Sequence, residues 1–491
     1  MDHSTLANPS HRRSSLFLFA IIALAFALYR VAVIARLGLD PYVDEAYYWG
    51  WAQALDWGYY SKPPVIAALI AWSGAVFGDN LLAIKAPSLI LYTGTAFLVR
   101  EIGRELFDDR VGFWCGVAFL TLPLTATLSL FASTDAPLLF FWAAGMLLMW
   151  RALNDGALPY WVGIGLVAGL GLMSKYVMLA FGGSAFLALF IRRGGPKGNK
   201  VLGPAIAIFL ALAIFAPNLV WNWEHGFPTF RHTAEITRLG TRTWSPDEFI
   251  EFVGAQWLLL GPLLAVCLGW ALVRWRDDWA DLRFRFLFVF VVPLLVVVGL
   301  QALTGRANGN WAAPALVGAT VLTVAFLARR GSRRLAVAAI ALNIVASSVL
   351  YHWPDVVRLA GKELNGRIDP YKRARGWHEF AEAVRPRLEA HPDAVLVADE
   401  RELLAQLVYS LRPSRYARWQ PDPHVMDHYG LTVPLTTASG DPVLFVSERA
   451  DVKAVIARFE AADKLGDVDI AVYPNFHRRA SVWLLRGFKG Y

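Results

Sequence analysis

Long apolar runs dominate this chain. They lie near 16–37, 80–99, 111–132, 136–150, 158–173, 176–191, 201–220, 249–273, 284–303, 311–328 and 334–352. None shows the two-residue alternation or the one-faced helical stripe of water-facing elements. Most approach the roughly 20 apolar residues that a helix needs to cross a bilayer core. The pattern predicts a polytopic α-helical membrane protein with about eleven transmembrane helices. At Tyr351-His352-Trp353-Pro354 the runs stop. Beyond them, Ala394–Ala398 and Val443–Val446 read as strands, each followed by a helical pattern, at Glu400–Leu411 and Asp451–Phe459. This predicts a small C-terminal α/β domain. The expected organisation is a short cytoplasmic N-terminus over 1–15, a membrane domain over 16–353 and the α/β domain over 354–491.

Composition agrees with a membrane protein. Hydrophobic residues make up 56% of the 491 and charged residues 18%, against about a quarter charged in soluble domains; mean hydropathy is +0.42. The net charge of +8 does not point to nucleic acid, because the cations sit between the apolar runs and form no single basic face. Their distribution is an orientation signal. With a cytoplasmic N-terminus, one side receives Arg12, Arg13, Arg100, Arg104, Arg110, Arg151, Arg192, Arg193, Lys197 and Lys200. The same side then receives Arg274, Arg276, Arg283, Arg285, Arg329, Arg330, Arg333 and Arg334. An odd number of spans preserves this alternation and places the C-terminal domain outside the cytoplasm. The first apolar stretch is too long for a signal peptide, carries Arg30 and lacks a clear cleavage site, so it reads as an uncleaved span. Cys115 and Cys267 fall within apolar runs and read as buried free thiols.

The first outer loop, 38–79, is too polar at its start for a span and too apolar for a free loop. Asp44–Leu55 is a plausible helix bearing Tyr47, Tyr48, Trp49 and Trp51, residues suited to a membrane boundary. Adjacent helical residues point about 100° apart, so Asp44 and Glu45 cannot face one small site alike. One would do chemistry; the other would orient a partner or cap the helix. The plain alternative for Asp44 is itself a helix N-cap. Tyr60-Ser61-Lys62-Pro63-Pro64 opens a second amphipathic segment. A lysine before a helix N-terminus opposes the helix dipole. Lys62 makes better sense if an anion binds between its ammonium and the N–H groups of Val65 and Ile66; the plain alternative is a snorkelling lysine.

Other polar residues fall on the same predicted side. Asp135 opens a span and Lys175 sits between two apolar segments; capping and snorkelling are their plain readings. Arg306 lies in the turn Thr304–Trp311. The loop 221–248 adds His225, Arg231, His232, Arg238 and Arg242, most of them read as solvated, and Lys85 reads as a lysine that could simply snorkel. Tyr48 and Tyr60 are candidate substrate contacts, with interface packing as the simpler reading. No metal-ligand spacing is present; the carboxylates leave room for a divalent metal without demanding one. The α/β tail has no glycine-rich phosphate loop, and no internal repeat of the transporter kind is evident.

Asp44-Glu45-Ala46-Tyr47-Tyr48, followed by Tyr60-Ser61-Lys62-Pro63-Pro64, resembles the bacterial GT-C glycosyltransferases. Within the protein mannosyltransferase superfamily the motifs are most like those of the aminoarabinose and galacturonic acid transferases that decorate lipopolysaccharide. The resemblance is good over the membrane half and weak over 355–491. It implies a polyprenyl-phosphate sugar donor, transfer with inversion outside the bacterial inner membrane, and a lipid or glycan acceptor such as lipopolysaccharide or lipid A. By the same resemblance Asp44 matches the catalytic loop aspartate and Lys62 a phosphate-binding lysine. Aminoarabinose transferases carry an arginine where Tyr47 stands, so any phosphate contact from that position is missing here. Chemically, a polyprenyl phosphate leaves best with cations beside it, which suits Lys62, Arg306 and Lys175. Asp44 would be the base, with Glu45 and Asp135 in support. The main rival is a transporter or flippase for a lipid-linked sugar; an assembly scaffold would explain the tail but not the Asp44 and Lys62 pairing. No residue distinguishes a uronate from an amino sugar or a neutral hexose.

Overall fold

The computed structural model describes residues 9–192, 201–238 and 244–491. Arg193, Lys197 and Lys200 of the cation pattern, Arg242 of the loop 221–248, and the Arg12 side chain lie outside the described part. The chain divides into two compact units. The first comprises residues 1–34, 62–69 and 85–351; the second comprises 35–61, 70–84 and 352–491. Most of the loop 38–79 therefore groups with the C-terminal residues.

The first unit is a helical membrane domain, and the chain is a multi-pass membrane protein. All eleven apolar segments are helical wholly or in large part. Among the described residues, seven helices are long and apolar enough to cross a membrane: Arg13–Leu37, Leu81–Leu106, Asp135–Asp155, Leu202–Glu224, Leu282–Thr304, Gly309–Arg329 and Arg333–Tyr351. An eighth span is formed if Pro246–Leu260 and Pro262–Val273 count together, although they meet at 110°. Gly261 makes that bend with φ +91°, and an added Cβ would lie 1.8 Å from Asn343 Oδ1, so only glycine fits. The segment near 111–132 also breaks, into Asp109–Thr121 and Pro123–Leu128. Pro123 drives Leu122 out of helical geometry, to ψ 137°. Leu158–Leu172 and Tyr176–Ala188 are shorter apolar helices.

Small residues let these helices approach closely, as is usual where lipid supplies no hydrophobic drive for association. A Cβ at Gly112 would come within 2.6 Å of the Arg100 carbonyl, and one at Gly165 within 2.8 Å of the Ala207 carbonyl. Arg30, buried in the first span, is stabilised by its own bonds: it donates to Leu120 O at 2.5 Å and to the Tyr351 hydroxyl at 3.1 Å. Cys115 and Cys267 are buried and free.

The second unit contains a five-stranded sheet in the order β2-β1-β3-β5-β4. β1 (Val395–Ala398) pairs in parallel with β2 (Tyr416–Arg418) and β3 (Val443–Ser447); β3, β5 (Phe476–Phe488) and β4 (Phe459–Tyr473) run antiparallel. β1 and β3 are buried along their whole length, as expected for strands covered on both faces. The expected helix at Arg401–Leu411 is present. The one expected over Asp451–Phe459 shrinks to Lys453–Ile456, and Phe459 already begins β4. An Asx turn accounts for this: Asp451 Oδ1 accepts from Lys453 N at 2.9 Å, while Val452, Val455 and Phe459 turn into the sheet's core.

Candidate active site

Two polar clusters gather the candidate residues, one in each unit. In the second unit the helix Val43–Ala52 begins after Tyr42, so Asp44 is not its cap. Glu45 takes that role: its Oε2 accepts from the Tyr42 N–H at 2.8 Å, and the residue is fully buried. Ala46, Tyr47 and Tyr48 are buried too, and Tyr48 packs its ring 4.8 Å from Trp51. Asp44 alone among the helix's acids stays accessible, its side chain 43% exposed. Facing it is Arg401, the first residue of the helix after β1, which donates from NH1 to Asp44 Oδ1 at 3.2 Å.

The Arg401 guanidinium also lies 4.9 Å from the centre of the Tyr47 ring. Burial alone would lower its pKa, but Asp44, with Tyr47 and Tyr48 behind it, more than compensates and the value is raised. Arg401 is a fixed cation. The Tyr47 hydroxyl accepts the His428 backbone N–H, and burial pushes its own pKa well above the usual tyrosine value. Sequence reading missed Arg401, which lies 357 positions from Asp44. One signal was available: it follows the carboxyl end of a strand in an α/β sheet, where functional side chains concentrate.

The first unit brings two candidates together and separates others. Asp135 is the first residue of the helix Asp135–Asp155 and is 3% exposed. Lys175 Nζ donates to its Oδ1 at 2.7 Å, and Asn310 Nδ2 donates to its Oδ2 at 2.8 Å. Both carboxylate oxygens are thus engaged, and the Lys175 charge is largely matched. Arg306 is exposed, and among the described residues no carboxylate lies within 4 Å of it.

Lys62 precedes the helix Val65–Phe77, as expected. The anticipated anion cradle there needs correction, because the Val65 N–H donates to the Met173 carbonyl at 3.1 Å. Met173 ends the helix Leu158–Leu172, where the last carbonyls lack helical partners, and Val65 satisfies one of them. Any anion at Lys62 is held by the ammonium without that amide. Lys85 does not snorkel: it is 1% exposed, with Nζ 4.7 Å from the centre of the Phe131 ring. Tyr60 is buried. In the loop 221–248, His225 stacks on Trp221 and Arg238 pairs with Glu248 at 3.6 Å. No group of three or more metal-ligating side chains occurs among the described residues.

Three comparisons with known proteins bear on this geometry. Residues 61–221 match the family model described as dolichyl-phosphate-mannose-protein mannosyltransferase. The lipid A galacturonosyltransferase RgtD of Rhizobium johnstonii is 30% identical over 440 residues, covering 88% of this chain and 90% of that protein. The undecaprenyl phosphate-α-4-amino-4-deoxy-L-arabinose arabinosyl transferase of Pseudomonas aeruginosa is 25% identical over 281 residues, 52% of this chain and 48% of its own. Among solved structures, ArnT from Cupriavidus metallidurans bound to undecaprenyl phosphate superposes with a TM-score of 0.65 at 15% identity. That superposition covers 95% of this chain and 97% of the other. At that identity the likeness speaks to the fold.

Proposed function

The chain belongs to the GT-C polyprenyl-phosphate-sugar glycosyltransferases, and from that membership we propose the particular reaction and the residues that carry it. The enzyme transfers a sugar from an undecaprenyl-type phosphate carrier to lipid A, on the periplasmic face of the inner membrane. The sugar is a hexuronic acid. Support for that choice comes from the relative aligned over 90% of its own length, a galacturonosyltransferase, whereas the aminoarabinose transferase aligns over 48%.

In the reaction the bond from the anomeric carbon to the phosphate oxygen breaks and a bond to an acceptor oxygen forms on the opposite face. Positive charge develops on the sugar ring, as in glycoside hydrolysis. The phosphate departs as an anion and needs cations, not a proton donor. Lys62 and the exposed Arg306 fill that role; Lys175, already matched by Asp135, contributes mainly by fixing Asp135 and Asn310. Asp44 accepts the proton of the acceptor hydroxyl. Glu45 holds the start of the helix that carries Asp44, and Tyr48 and Tyr60 shape its surroundings by packing.

The observation that carries this reading is the accessible Asp44 carboxylate, held against Arg401 on a helix whose neighbouring residues are buried. Its test is direct. Asp44→Asn and Lys62→Ala should each abolish transfer from a radiolabelled polyprenyl-phosphate uronate while leaving membrane insertion intact. Near-normal turnover in either correctly inserted variant sinks the residue assignment. Mass spectrometry of lipid A from a deletion strain checks the sugar: loss of a substituent other than a hexuronic acid refutes that part.

A further inference from the structure

At the arginine-rich end of the membrane domain a cavity of about 380 Å³ opens among the ends of several spans. That volume falls within the usual range for ligand pockets. Among the described residues four arginines line it, Arg110, Arg283, Arg329 and Arg333. The rest of its lining is largely apolar, formed in part by Phe284, Ala325 and Val337. Cations at a rim above an apolar wall match the two halves of a phospholipid.

The ion pairs at this rim leave a surplus of positive charge. Arg283 is tied to Asp281 at 2.6 Å, and Arg329 pairs with Asp278 at 3.1 Å and Asp281 at 3.4 Å. Both guanidiniums also sit over rings, Arg283 5.0 Å from the centre of Phe107 and Arg329 5.1 Å from that of Phe284. These two are fixed and compensated. Arg110 and Arg333 are exposed, and among the described residues neither has a carboxylate within ion-pair distance. Among the described residues the one acid lining the cavity, Asp108, is committed to capping the helix Asp109–Thr121 through the Val111 N–H at 2.8 Å.

Depth supports the same occupant. Arg333 begins one span, Arg329 ends another and Arg283 lies at the start of a third, so the rim falls where spans meet lipid headgroups. Val337, one turn beyond Arg333, is 46% exposed and continues the apolar wall outward. A free anion would have no use for that wall.

We propose that this cavity binds one anionic phospholipid, its phosphate between Arg110 and Arg333 and an acyl chain along Phe284 and Val337. Basic pockets between spans are a recurrent mode of anionic lipid recognition, and each arginine near such a headgroup is worth about five-fold in affinity. Removing both unpaired arginines should therefore weaken binding about 25-fold.

The test uses the full-length protein in a neutral detergent, titrated with dioleoylphosphatidylglycerol, dioleoylphosphatidylcholine or inorganic phosphate, and read by native mass spectrometry and thermal shift. The expected result is one tightly held phosphatidylglycerol per chain and no comparable phosphatidylcholine. The Arg110→Gln/Arg333→Gln variant should lose about 25-fold in affinity and the double lysine variant should retain most of it. Val337→Trp, which crowds the apolar wall without changing charge, should weaken binding as well and provides a second probe if the double glutamine variant folds poorly. Equal binding of phosphatidylcholine overturns the proposal, as does unchanged phosphatidylglycerol binding in the glutamine and tryptophan variants. Displacement of the lipid by millimolar inorganic phosphate, with Val337→Trp silent, also overturns it by making the cavity a plain anion site.

Discussion

Arg401 offers the sharpest test of how the proposed catalytic carboxylate, Asp44, is held. Its NH1 lies 3.2 Å from Asp44 Oδ1, with side chains 39% and 43% exposed. Bare Coulomb attraction at that distance is about 1.3 kcal/mol in water and about 5 kcal/mol at an effective dielectric near 20. Exposure near two-fifths on both partners puts the pair toward the watery limit, where measured couplings are about 0.2–1 kcal/mol. Other charges surround it: Arg373 and Glu402, like Asp44 and Arg401, act on the neighbouring Tyr42 hydroxyl. Arg401 therefore aims Asp44 without dominating its energetics. Arg401→Ala should lower kcat/KM about five-fold, the upper end of that coupling.

Removing the proposed base should cost far more, about 10²–10⁴-fold for Asp44→Asn. The decisive variant combines the two. If Arg401 works through Asp44, the double variant should match Asp44→Asn to within about two-fold, because the second substitution has nothing left to position. Arg401→Lys keeps the charge but not the flat face against Tyr47, and should fall between wild type and Arg401→Ala. The assay is initial-rate transfer from polyprenyl-phosphate uronate to lipid A in purified, detergent-solubilised enzyme. An additional five-fold loss in the double variant would refute the reasoning. So would a loss beyond about 100-fold for Arg401→Ala, which would mean that Arg401 touches substrate directly.

Three further outcomes are expected. Lys175→Met strips the buried Asp135 carboxylate of its cation and should destabilise the protein by about 3–5 kcal/mol, whereas Lys175→Met/Asp135→Leu should cost less; thermal unfolding in detergent ranks the two, and the reverse order contradicts the pair's assignment. Glu45→Ala removes the cap on the Tyr42 N–H and should cost about 1 kcal/mol or more of stability while kcat falls far less than in Asp44→Asn; equal kcat losses would make Glu45 a catalytic group. Burial raises the Asp399 pKa against the opposing Ser447 bond and Arg449 charge. A raised acid stabilises the fold below its unfolded pKa, and that contribution disappears as pH climbs through the folded value. Asp399→Asn should therefore flatten the decline of melting temperature as pH rises from the ordinary aspartate range toward neutrality, and an unchanged slope would count against it.

The membrane half was legible because its signal is local. An apolar run announces a helix whatever surrounds it, and every such run is helical wholly or in large part. Two breaks were less visible, although Leu122-Pro123 and Gly261-Pro262 both carry punctuation that an apolar average conceals. In the tail, β1 and β3 were readable as short apolar strands, but the β4–β5 hairpin was not. Its outer strand bears Glu460, Asp463, Lys464, Asp467 and Asp469, the charge with which an edge strand resists further pairing, and that charge hides its strand character.

The candidate site divides along the same line. Asp44 and Glu45 could be separated by helix geometry alone, but which one caps depended on where the helix starts, and it starts at Val43, after Tyr42. The fate of the Val65 amide depended on Met173, 108 positions further on, and the partner of Asp44 on a helix 357 positions away. No local pattern encodes such pairings; they arise when tertiary structure meets the unpaired groups at element ends. Met173, just past the end of Leu158–Leu172, offers its carbonyl to the Val65 amide, and Arg401, just past the end of β1, offers its guanidinium to Asp44. Composition and order single out the loop as the candidate for chemistry; the folded ends of distant elements determine which of its groups are engaged, as the Val65 amide is by Met173.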